Sequence, residues 1–176
     1  MPKSESSKSR CLAIRFKKNA DGRSSLSCTR PDGSTTWQTL GGQQAAFFPR
    51  HDLTHYAVET VLGHKRGFYG LLAAGWDISD FANPEARKRI PTDAILAEMT
   101  VGFLDLERAT GERVQASDVN TRLREWCAEN GLPKPADVTE EDLAQIRKRR
   151  AELFSSWEAV APGDVLELSF DPSPSP

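Results

Sequence analysis

The sequence has few cysteines: three, Cys11, Cys28 and Cys127, widely spaced and with no CxxC pair. An odd, scattered set excludes a disulfide scaffold and a cysteine-rich zinc site, so each reads as a small buried apolar side chain. Long apolar runs are absent too, since nothing approaches the roughly 18 consecutive apolar residues of a membrane span. Met1 to Arg10 is polar and lacks the apolar stretch of a secretory signal. Neither sign of charge dominates: the net charge is −2 over 176 residues, which gives no global attraction to nucleic acid or anionic membrane. Gly41-Gly42-Gln43-Gln44 has neither the spacing nor the lysine of a phosphate-binding loop. Repeats and long linkers are also missing. These absences leave a cytoplasmic, non-membrane protein with one domain over 11–171, flanked by disordered tails over 1–10 and 172–176.

Periodicity supplies the elements. Leu12, Ile14 and Phe16 alternate with Cys11, Ala13 and Arg15, the pattern of a half-buried strand. Two further strands, Ser25 to Arg30 and Thr35 to Leu40, are set off by Asn19-Ala20-Asp21-Gly22 and Pro31-Asp32-Gly33, both turn chemistry. A fourth strand alternates through Leu166, Leu168 and Phe170. Helical spacing fills the middle. One helix is expected from Pro49 to Leu62, one from Lys65 to Ala74, one after Pro91 with a stripe of Ile95, Met99, Gly102, Phe103 and Leu106, one capped near Ser117-Asp118, and one from Thr139. The expected fold is α+β: an antiparallel sheet of three N-terminal strands and one C-terminal strand, packed against about five helices.

Two of the three histidines fall in one stretch, Arg50-His51-Asp52-Leu53-Thr54-His55-Tyr56-Ala57-Val58-Glu59, an HDxxHxxxE pattern. At about 100° per residue, His51, His55 and Glu59 sit near 0°, 40° and 80° on the helix wheel, at one border of the apolar face. Imidazoles at i and i+4 can reach one ion at about 2.0–2.1 Å, which makes His51 and His55 candidate metal ligands. Glu59 is a candidate third ligand or a carboxylate that orients an imidazole, because about 12 Å of axial rise separates it from His51. Asp52 and Glu59 are the candidate catalytic proton acceptors. Further ligands are available from Asp77, Asp80, Glu98 or Asp105. Zinc suits the donor set first, and iron or manganese take the same ligands.

His51-Asp52-x-x-His55 resembles the HExxH signature of zinc-dependent peptidases, with Asp52 in place of the glutamate. It is also similar to the HDxxH zinc motif of a family acting in ubiquinone biosynthesis. That family continues with a glutamate twelve residues after the second histidine, where this chain has Gly67. The functional expectation is a metal site, with metal-dependent hydrolysis of a small molecule as the chemistry. A non-catalytic interaction module with structural histidines is the alternative. A nucleic-acid-binding protein using Arg147-Lys148-Arg149-Arg150 comes third. That run and Arg87-Lys88-Arg89 read as solvated helix faces, since consecutive residues point in all directions. His64 reads as a loop residue closing the first helix, and the four tryptophans mostly as core.

Overall fold

The structure, a computed structural model, describes residues 10–173, so the two expected tails fall almost entirely outside the described residues. Alternation builds the sheet. In β1 (Leu12–Lys18) the side chains of Leu12, Ile14 and Phe16 are buried while Ala13, Arg15 and Lys17 face water. β2 (Ser24–Thr29) buries Leu26 and Cys28, and β3 (Thr35–Leu40) buries Thr36. Gly22 and Gly33 hold φ of 82° and 89° in the two connecting turns, a region that glycine enters without a steric penalty. β4 (Val165–Phe170) pairs with β1 and completes an antiparallel sheet of order β3-β2-β1-β4. Leu12 stands opposite Phe170 and Phe16 opposite Leu166, so both ends of the domain share one sheet.

The helices cover the buried face of that sheet. α1 (Gly42–Leu62) is the central one and is buried without a break from Asp52 to Glu59. Its neighbours are α4 (Thr92–Thr110) and α6 (Glu140–Ala159), and it also packs on β2. Between α1 and α4 lie α2 (Phe68–Ala73), a 3₁₀ turn (Ile78–Ala82) and α3 (Pro84–Arg87), and α5 (Ala116–Glu129) follows α4. Thr139 and Asp142 cap α6 reciprocally, as its acidic start implies. No helix among the described residues is long and apolar enough to cross a membrane.

Four expectations need correction. α1 begins at Gly42 and runs through Pro49, which sits inside the helix instead of in its first turn. An internal proline costs about 3 kcal/mol, and here Gln43 to Ala46, good helix formers, extend the helix beyond it. α4 is rotated from its expected orientation. Its buried face is Ala97, Thr100, Val101 and Leu104, which leaves Ile95, Met99 and Phe103 half-buried and Leu106 exposed. Trp37 is 69% exposed, on the water side of edge strand β3. The basic run on α6 divides: Arg147 and Arg150 turn inward onto Glu107 of α4 at 2.7 and 2.9 Å, and Arg149 pairs with Glu152.

Candidate metal centre

Helix α1 presents His51 and His55 one turn apart, and antiparallel α4 presents Asp105 and Glu98 two turns apart to meet them. His51 Nδ1 donates to Asp105 Oδ2 at 2.7 Å. His55 is held at both ring nitrogens: Nδ1 lies 3.2 Å from Glu59 Oε1, and Nε2 lies 2.8 Å from Glu98 Oε2. The two imidazole rings are 4.8 Å apart and nearly perpendicular. One donor atom each from His51, His55 and Glu98 fall within 4.8 Å of one another, a group that can hold a metal ion.

The carboxylates at Nδ1 organise this geometry. A carboxylate at one ring nitrogen fixes the tautomer and orients the other nitrogen's lone pair, the usual arrangement behind a ligating histidine. Here Asp105 stands in this position behind His51, and Glu59 stands at Nδ1 of His55, whose Nε2 is held by Glu98. Nε2 of His51 has no hydrogen-bond partner among the described residues, and His55 Nε2 meets only Glu98. Three donors around an ion with bonds of about 2.05 Å need to stand roughly 3.4 Å apart in tetrahedral geometry. Glu98, with its side chain 59% exposed, is the member free to adjust.

Glu59 is fixed by local structure. Its side chain is fully buried, and its two oxygens accept the backbone N–H groups of Phe68 at 2.7 Å and Tyr69 at 3.0 Å, so it caps α2, which has no side-chain cap of its own. A Cβ on Gly67 would stand 2.4 Å from the Glu59 carboxyl carbon, so only glycine admits this close approach. Glu59 thus spends both oxygens on the start of α2 and one of them also on His55 Nδ1, and the carboxylate in the donor group is Glu98.

Asp52 is also turned away. It borders a small hollow against the sheet with Phe16, Leu26 and Phe48, and its carboxylate makes no hydrogen bond among the described residues. Burial pushes its pKa up to about 6, with the nearby His51 and His55 pulling the other way. Asp77 pairs with Arg30, and Asp80 caps the 3₁₀ turn. His64 lies outside the donor group and donates its backbone N–H to Glu59 O, closing α1 as expected.

The electrostatics are strongly biased. Burial disfavours charge on His55, but the hydrogen bonds to Glu59 and Glu98 outweigh it and raise the pKa to about 10. The His55 hydrogen bond lowers the Glu98 pKa. Burial works against the charge on Asp105, and the contacts from His51 and Arg108 overcome it, so its pKa also falls. Without a metal, His55 is therefore an imidazolium, and a metal ion must displace its proton.

The centre opens into a cavity of about 520 Å³ lined by His55, Glu98, Phe68, Phe81, Met99 and Trp126, with Arg87 also on its wall. The residue pattern does not mark the cavity, and it reads Arg87 only as part of a solvated helix face, because the place of both is set by packing among α2, α3, α4 and α5. The i, i+7 spacing of Glu98 and Asp105 on α4 is the one local signal that points toward two facing histidines. Comparison with protein-family models, curated proteins and solved structures finds no match.

Proposed function

We propose that the protein is a mononuclear metal-dependent hydrolase, with His51, His55 and Glu98 as ligands and Asp105 and Glu59 as the carboxylates that orient the two imidazoles. One observation carries the reading: Asp105 engages His51 at Nδ1 and Glu59 engages His55 at Nδ1, while His55 Nε2 meets Glu98, and one donor atom each from His51, His55 and Glu98 fall within 4.8 Å of one another. Two imidazoles and one carboxylate with an accessible side suit zinc in a catalytic setting, and iron or manganese share these donors. Such an ion supplies Lewis acidity and a bound water of lowered pKa. Among the described residues Glu98 is the only carboxylate on the cavity wall, and its Oε1, which makes no hydrogen bond there, is the available acceptor for the proton of an attacking water. Asp52 and Glu59 do not line that cavity.

Metal analysis of the purified protein tests the site. The expected result is one equivalent in the parent and none in His51→Ala, His55→Ala or Glu98→Ala. A folded parent that carries no metal and takes up none from added zinc, iron or manganese would overturn it. Hydrolysis is tested separately, by cleavage of a chromogenic ester that requires the loaded metal and is lost in Glu98→Gln. A second reading follows from the clamp on His55: an imidazolium between Glu59 and Glu98 ties α1 to α4 with no metal, in a binding module without catalysis. That reading expects no metal and no effect of His51→Ala beyond stability.

A further inference from the structure

Three features of the cavity wall are unusual together. The stripe Ile95, Met99 and Phe103 on α4 is apolar but only half-buried. This stripe lines the cavity beside Glu98 and continues past Ile95, Met99 and Trp126 into a second apolar hollow of about 420 Å³. The first cavity alone, at about 520 Å³, lies in the range of roughly 300–1,000 Å³ typical of small-molecule sites. The third feature is Arg87. In the run Arg87-Lys88-Arg89, Lys88 pairs with Glu85 at 2.7 Å and Arg89 stands over the Trp76 ring. Arg87 lines the cavity and has no ion pair or aromatic partner among the described residues.

We infer that this cavity takes an apolar molecule carrying one carboxylate, with Arg87 anchoring that carboxylate and Phe68, Phe81, Met99 and Trp126 enclosing the apolar body. Guanidinium and carboxylate match as planar, two-pronged partners, and a low-dielectric wall strengthens the pair. The His55 imidazolium on this wall is already held by Glu59 and Glu98, so Arg87 is the cation left to balance a single negative charge among the described residues. Glu98, on the same wall, disfavours a second, which selects a carboxylate over a phosphate dianion. The inference names the substrate class of the proposed hydrolase and rests on that reading for the reaction, though not for binding.

The test is titration of the full chain, with a chelator present, by 4-phenylbutanoate and by its neutral counterpart 4-phenylbutanamide, read by calorimetry and tryptophan fluorescence. The carboxylate should bind at least about fivefold more tightly than the amide, the discrimination expected of a partly exposed charge-assisted pair. Arg87→Gln should erase that difference and leave amide binding unchanged. Met99→Trp should weaken both ligands by filling the cavity. Arg87 is exposed, so its substitution leaves the fold intact, which circular dichroism checks. Equal affinity for the two probes, no binding of either, or discrimination that survives Arg87→Gln would each overturn the inference. Because the chelator removes metal from the assay, these outcomes are independent of the metal analysis. Discrimination in a protein that never binds metal keeps the anchor and discards the hydrolase, and metal binding without discrimination does the reverse.

Discussion

Helix α4 carries two ionic clusters, one closed and one open. At its C-terminal end, Glu107 receives Arg147 and Arg150 of α6 and the backbone N–H of Val114, and all three side chains are nearly buried, at 11–15% exposure. Both carboxylate oxygens are saturated, and Arg147 Nη1 is the one buried side-chain atom among the described residues without a hydrogen bond. Along the stretch from Glu98 to Asp105, which ends two residues earlier, His51, His55, Glu98, Asp105 and Glu59 form a comparable network against α1. That network leaves His51 Nε2 unpartnered and exposes Glu98 to a cavity. Both clusters join helices. In the first both carboxylate oxygens of Glu107 are engaged, and in the second Glu98 faces a cavity. A carboxylate saturated on both oxygens marks a cluster that holds the fold, and two oriented histidines with an exposed carboxylate beside a cavity are what the proposed metal centre requires.

Three measurements sharpen or break this contrast. The largest effect belongs to the closed cluster. Glu107→Ala strands two nearly buried guanidinium groups and should destabilise the protein by about 3 kcal/mol, or roughly 10 °C in Tm for a chain of this size. Metal content should not change. A melt within about 1 kcal/mol of the parent would mean that the closed cluster is ornamental.

The next effect lies in the open cluster. Asp105→Asn keeps the shape but loses the anionic partner of His51, so metal affinity should fall about 10–100-fold while the melt in chelator moves little. Unchanged affinity would remove Asp105 from the centre.

The smallest effect is the response to pH. Because the folded pKa of His55 is raised to about 10, its proton stabilises the metal-free protein fully below the ordinary histidine pKa, and that contribution is lost as pH rises toward 10. Metal must displace the same proton, so affinity should climb by up to about tenfold per pH unit between 7 and 9. The closed cluster should be silent there. Burial opposes charge on Glu107 but Arg147 and Arg150 lower its pKa, so its contribution is lost only as pH falls through the acid range. A flat metal affinity from pH 7 to 9 would show that metal displaces no His55 proton in that range.

Much of the fold is legible in the residues because it depends on local chemistry. Asn19 to Gly22 and Pro31 to Gly33 dictate turns, and strict alternation in Leu12 to Phe16 dictates a face. The His51 and His55 pair is legible for the same reason, since i and i+4 share a helix face whatever surrounds them. Other features depend on what packs against what. α4 carries apolar residues on two faces, and only the assembled neighbours decide that Val101 and Leu104 go inward while Met99 lines a cavity. Glu98 looks like any surface acid until α1 is placed beside it. Glu59 could not be assigned without α2, whose backbone N–H groups hold both of its oxygens.

The pairing of Leu12 with Phe170 has a consequence in time. As the chain leaves the ribosome, β1, β2 and β3 can form their meander early, since their connections are short. β1 must then wait through all the helices before β4 arrives to cover its other side. In that interval β1 is an open edge able to recruit a strand from another chain. Arg15, Lys17 and Lys18 along β1 provide the charge that discourages such recruitment. Closing a connection this long is slow more than it is unfavourable, because loop entropy grows only logarithmically with length. Docking of β4 is therefore the natural last event of folding, and the interval before it is when the protein is most exposed to misassembly.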